Sequence, residues 1–177
     1  MGKGNININP HPNPPQVGEG GGKMLKTQEE IIDIVRSGQA EGKTFVVTNG
    51  CFDILHVGHV RYLQKTKEFA DMLIVMLNSD QSVKSIKGES RPINCEEDRA
   101  EILSALSCVD YVVLFEEKSP ATLLESIKPD VYTKGADYTL ETLPERDVVL
   151  RNNIKVEFIE FVDGKSTTNV IKKINEK

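Results

Sequence analysis

The 177-residue chain has no apolar run near 18 residues and no signal-peptide pattern, so no segment reads as a membrane span or a secretory leader. It has no excess of positive charge either. Lys and Arg number 22 against 27 Asp and Glu, a formal net charge of −5. A broad nucleic-acid or acidic-membrane surface is therefore not expected, and an anionic ligand must meet a local basic cluster. Cysteine is scarce: Cys51, Cys95 and Cys108 are odd in number and widely spaced. This argues against a disulfide framework and fits reduced thiols in a cytoplasm. The expectation is one cytoplasmic domain with a real core.

Residues 1–23 have almost no core-forming content and are expected to be a disordered tail, with the domain at 24–177. Gly22-Lys23 tempts a P-loop reading. The pattern fails, because Val17 stands where its first glycine belongs and Met24 replaces Ser/Thr. His11, among prolines, is a bystander. Met24 is a candidate start.

Beyond the tail, Thr27 with Glu30 three residues on reads as a capping box for a helix to about Arg36. Strands are then predicted at Thr44–Thr48, Met72–Asn78, Tyr111–Phe115, Val131–Thr133 and Val156–Phe161. Helices are predicted at Val57–Glu68, Glu96–Leu106 (capped by Asn94), Pro120–Ile127 (started by Ser119), Glu145–Asn152 and Thr168–Asn175. Short apolar strands between helices imply an α/β fold, Rossmann-like and doubly wound. The expected sheet is parallel and five-stranded, with helices on both faces and ligands at the strand C-terminal ends.

That edge collects the chemistry. Thr48-Asn49-Gly50-Cys51-Phe52-Asp53-Ile54-Leu55-His56-Val57-Gly58-His59 joins the first predicted strand to a helix start. A helix N-terminus attracts anions, imidazole adds a donor able to carry charge near neutral pH, and Gly50 and Gly58 allow close approach. The set suits a nucleotide triphosphate. A helix cap or a His-x-x-His metal site are the alternatives, though no third ligand stands out. Lys84, Lys87 and Arg91 lie on the loop expected after the second strand, either as a solvated face or to neutralise phosphate. Arg99 lies in a helix first turn, where a cation opposes the dipole and so suits a ligand better. Ser166-Thr167-Thr168 read as an N-cap or a phosphate cradle. Asp53 and Asp80 read as loop caps or water-mediated Mg²⁺ contacts. Asp137-Tyr138 suit sugar hydroxyls or the metal, and Cys51 packs under the loop.

His56-Val57-Gly58-His59 after Gly50-x-Phe52-Asp53 resembles the HxGH signature of the cytidylyltransferase-like nucleotidyltransferases. Asn78–Lys84, Lys87–Asn94, Lys134–Tyr138 and Asp163–Asn169 resemble one subgroup, the heptose-1-phosphate adenylyltransferases, over roughly residues 27–175. Two departures stand out. Ala136 replaces a usual glycine, and no arginine precedes Ser166, unlike the cytidylyltransferases for glycerol phosphate.

The resemblance implies AMP transfer from ATP to D-glycero-β-D-manno-heptose 1-phosphate, with Mg²⁺ or another divalent cation held mainly by phosphates. His56, His59 and Lys84 would be catalytic. Asn49, Gly50, Cys51, Phe52, Arg99, Lys134, Gly135, Ser166, Thr167 and Thr168 would bind the nucleotide. Asp53, Asn78, Asp80, Lys87, Arg91, Asp137 and Tyr138 would bind the acceptor. A homodimer is expected, with no nucleic-acid or membrane partner. A CTP-dependent enzyme for glycerol 3-phosphate or a similar alcohol phosphate, and a non-catalytic nucleotide-binding module, remain the alternatives.

Overall fold

Two apolar runs set the middle of the sheet. Phe45–Gly50 and Met72–Asn78 are buried along nearly their whole length, which a strand tolerates only when both faces are covered. In the computed structural model, which describes residues 24–160 and 167–176, they are strands β2 and β3. The other strands are β1 (Leu25–Lys26), β4 (Tyr111–Phe115), β5 (Val131–Gly135) and β6 (Lys155–Ile159). The order is β1-β4-β3-β2-β5-β6, and every pairing is parallel. The helices are α1 (Gln28–Ala40), α2 (Val57–Lys67), α3 (Asp80–Lys87), α4 (Glu96–Ser104), α5 (Ala121–Ile127), α6 (Arg146–Arg151) and α7 (Thr167–Asn175).

Alternation along the strands sends side chains to two cores. Phe45, Val47, Ile74 and Met76 pack with Ile31 and Val35 of α1, Leu124 of α5 and Val149 of α6. Val46, Leu73, Val75 and Leu77 pack on the other face with Leu63 of α2 and Leu103 of α4. The sheet is thus covered on both faces, as expected. After β4 the chain crosses back to lay β5 on the far side of β2. The β2–β5 boundary is therefore the switch point, where α/β sheets open a crevice at the strand C-terminal ends.

Several sequence expectations need correction. The sheet has six strands, not five. β1 is only two residues long, too short to carry a periodic signal, and it exists through its pairing with β4, Leu25 opposite Val112. The segment after β3, expected as a loop, contains α3. Its cap is Ser79, whose hydroxyl accepts from the Ser82 N–H at 3.2 Å, and its inward face is Ser82 and Val83. Lys84 and Lys87 therefore ride on a helix. α1 runs on to Ala40, and its capping box is present as expected. α4 is preceded by Cys95, without a side-chain cap; Asn94 instead donates to the Asp53 carbonyl at 2.6 Å. β6 ends at Ile159. The predicted Phe161, the tail at 1–23 and Ser166 lie outside the described residues.

Candidate functional site

β2 delivers the chain to the C-terminal edge of the sheet, and α2 begins seven residues later. Phe52 turns the corner with φ 44°, a left-handed conformation rare for a bulky residue. Its ring folds back so closely that a Cβ on Gly50 would meet it at 2.9 Å. The same ring meets His59 edge-on, with centroids 5.2 Å apart. Phe52 is thus a buried wedge behind the histidines. His56 occupies the cap position of α2 with extended backbone and no side-chain cap bond, so the helix-cap alternative does not describe it. The two imidazoles stack, with centroids 3.8 Å apart and planes 18° apart. Burial, then His56, then the Lys87 cation push the His59 pKa down to about 4. At neutral pH His59 is therefore an uncharged donor, not the cation its residue type suggested. Its Nδ1 is buried without a hydrogen-bond partner among the described residues.

α3 brings Lys84 and Lys87 to its last turn, both exposed. Among the described residues neither lysine has an ion-pair partner, so both cations remain available. Lys87 is near enough to oppose protonation of His59. At the start of α7 the Thr167 hydroxyl lies 3.5 Å from the Ile54 carbonyl, which it faces as donor. That contact brings the start of α7 against the His-motif loop. The Thr168 side chain lies outside the described set.

Six expected ligand residues are engaged with the protein itself. Asp53, 2% exposed, accepts from Arg91 Nε at 2.5 Å, from the Ile93 N–H at 2.7 Å and from the Asn94 N–H at 3.0 Å. Burial alone would raise its pKa, but these hydrogen bonds and the Arg91 charge outweigh it and hold the carboxyl below its ordinary value. Arg91 and Asp53 thus clasp the loop before α4. Arg99 is 1% exposed and donates to the carbonyls of Cys51 and Asn94 and to Asp80 Oδ1, at 2.6, 3.1 and 2.8 Å. It ties three loops together beneath the cleft. Asp80 therefore faces Arg99. Asn78, 3% exposed, donates to the Ser82 hydroxyl at 2.9 Å, and Cys51 lies beside it with Sγ 3.9 Å from Asn78 Oδ1.

Across the crevice, Asn49 ends β2 and accepts from the Tyr132 hydroxyl at 2.7 Å. Lys134 and Gly135 end β5, followed by exposed Asp137 and half-buried Tyr138. Lys134 Nζ lies 3.4 Å from Glu145 Oε2. Sequence reading missed Tyr132, Glu145 and Ser119 as parts of this edge. Their stretches read only as a strand and two helix starts, and nothing local announces a carboxylate that becomes buried against a lysine eleven residues earlier. Among the described residues no three His, Cys, Asp or Glu side chains gather as a metal cluster. No helix among them is long and apolar enough to cross a membrane.

The family model described as cytidylyltransferase-like matches residues 47–173. The bifunctional protein HldE of Geobacter sulfurreducens is 51% identical over 159 residues, covering 90% of this chain and 32% of that protein. HldE of Geobacter metallireducens is 52% identical, with 85% and 31% covered. HldE of Campylobacter fetus is also 52% identical, with 86% and 31% covered. The chain spans about a third of the length of these curated relatives. The crystal structure of the lipopolysaccharide core biosynthesis protein from Thermoplasma volcanium matches with a TM-score of 0.55 at 29% identity. The match covers 70% of this chain and 100% of that one.

Proposed function

The chain belongs to the cytidylyltransferase-like family, and from that premise we propose that it is a nucleotidyltransferase moving AMP from ATP to D-glycero-β-D-manno-heptose 1-phosphate. The products are ADP-heptose, for surface polysaccharide, and pyrophosphate. One observation carries the reading. The His-x-Gly-His segment opens α2 at the edge of the central strand, with the exposed lysines of α3 on one side and the start of α7 against its loop. That is a site for a chain of phosphates.

The acceptor's phosphate oxygen attacks the α-phosphorus of ATP and pyrophosphate leaves. No covalent enzyme intermediate is needed, so the protein positions two anions and stabilises charge. His56 and His59 donate to phosphoryl oxygens as charge grows on them. Lys84 and Lys87 screen the repulsion between the reactants. Arg99, tied to three protein acceptors, holds the loops on which these groups stand. Mg²⁺ suits this donor set as part of the substrate, carried by the ATP phosphates. Asp53 and Asp80 are both occupied by arginines, and Mg²⁺ commonly binds through phosphates with few carboxylates. The heptose acceptor is supported by the likeness to the HldE proteins and by Lys134-Gly135-x-Asp137-Tyr138.

The test is pyrophosphate release from purified protein with Mg²⁺, crossing ATP and CTP with heptose 1-phosphate and glycerol 3-phosphate. Release with ATP and the heptose alone is expected. Turnover only of CTP with the alcohol phosphate overturns the acceptor and base assignment. Tight ATP binding without turnover of any pair overturns catalysis.

A further inference from the structure

A buried carboxylate under the β2–β5 crevice has no part in the chemistry above. Glu145, 2% exposed, precedes α6. Its Oε1 accepts from the Ser119 hydroxyl at 2.6 Å, and its Oε2 lies 3.4 Å from Lys134 Nζ with no hydrogen bond among the described residues. Three segments thus converge on one carboxylate. Lys134 Nζ also lies 5.6 Å from the Tyr132 ring centroid and 5.2 Å from that of Tyr138. The Tyr132 hydroxyl is held by Asn49. The charges facing the ammonium are Glu145 and, from the next loop, Asp137. Burial pulls the lysine's pKa down and these two carboxylates oppose that.

This environment differs from that of Lys84 and Lys87. An ammonium already compensated by a buried carboxylate attracts a phosphate weakly. It still has hydrogens to donate, aimed from a fixed place between aromatic faces. A sugar matches that better, because its hydroxyl oxygens accept without bringing charge and its C–H face packs on a ring such as Tyr138. We propose that Glu145 is a positioning residue that fixes Lys134 as a hydroxyl-reading donor for a sugar held in the β2–β5 crevice. The inference rests on the nucleotidyltransferase reading. The sugar is either the acceptor or the nucleotide's ribose, which share this chemistry.

The experiment uses the full chain and the variants Glu145→Gln, Lys134→Ala and the double. Gln keeps the Ser119 contact and removes the charge. Glu145→Gln should raise KM for the sugar-bearing ligand about tenfold, as expected for loss of a charged group's hydrogen bond, with kcat and melting temperature nearly unchanged. The double variant should be no worse than Lys134→Ala. A rise confined to the acceptor's KM assigns the acceptor. A rise confined to the KM of ATP, and abolished with 2′- or 3′-deoxy-ATP, assigns the ribose. Unchanged KM values overturn the proposal, as do additive effects of the two substitutions or losses that track melting temperature. The ¹⁵N signal of the Lys134 ammonium gives an arm independent of substrate. It should titrate at lower pH in Glu145→Gln than in the wild type, and identical titration overturns the pairing. If the wild type is silent with every nucleotide and sugar phosphate, the functional reading fails alone, and the lysine titration still decides Glu145.

Discussion

At the scale of single residues, placement changes what a side chain can do. His59 was legible as a ligand group from its motif, but its charge state was not. Burial, His56 and Lys87 come from packing, and together they hold its pKa near 4 against an ordinary value of 6.5. Below pH 6.5 the unfolded chain takes a proton that the folded one refuses, so stability falls as pH drops from 6.5 toward 4 and is unaffected above that window. In thermal melts across that range, His59→Gln should lose less melting temperature than the wild type. Equal slopes would mean that His59 is not held neutral. Lys87→Ala should raise the His59 pKa in a proton NMR titration, since one opposing cation is gone. Arg99 is a different case. Its position in a helix first turn suggested a ligand contact, yet long-range acceptors on Cys51 and Asp80 occupy its donors, and no local pattern discloses such partners. Removing it strands a carboxylate and two carbonyls. Arg99→Ala should cost on the order of 3–5 kcal/mol in urea unfolding. Arg99→Lys should recover little, because an ammonium cannot span three acceptors in a fork.

At the scale of elements, legibility followed burial. β2, β3, β4 and β5 are largely buried runs with apolar residues at their starts, and each falls within two residues of its expected ends. α3 was missed because its buried face is only Ser82 and Val83, while its one other apolar residue, Ile86, faces outward among polar and charged neighbours. Asn94 was misread as a cap for a related reason. Its amide is drawn to Asp53, forty-one residues away in sequence, and a local cap signal cannot compete with a partner it does not contain. The four motif blocks expected at the strand C-terminal ends do lie along one edge where they are described. Topology sets that edge, so it was readable once the strands were.

At the scale of the molecule, β1 closes the sheet. The Val112 N–H donates to the Met24 carbonyl at 2.9 Å, and β1 covers the outer side of β4. The sequence offers few core-forming residues before that point, Ile6, Ile8 and Val17 among many Asn, Pro and Gly. A chain beginning at Met24 should therefore keep its melting temperature and kcat/KM. One beginning at Thr27 loses β1, exposes the edge of β4 and should melt several degrees lower. If both melt alike, β1 contributes nothing to the sheet; if the first also drops, residues 1–23 dock on the domain.

The stacked imidazoles have one more consequence, and it concerns the solvent. Two rings 3.8 Å apart resist charging together, and with burial and Lys87 this holds His59 neutral, so before a nucleotide arrives the positive charge beside the phosphate position comes from the lysines of α3. An arriving triphosphate supplies the field that lets a proton on, and that proton is drawn from the buffer. Nucleotide binding should then weaken as pH rises from 6 to 8. In calorimetry at fixed pH, the apparent enthalpy of binding should change linearly with the buffer's own heat of ionisation, the slope counting the protons taken up. A flat line across buffers would show that His59 stays neutral and acts through hydrogen bonds alone.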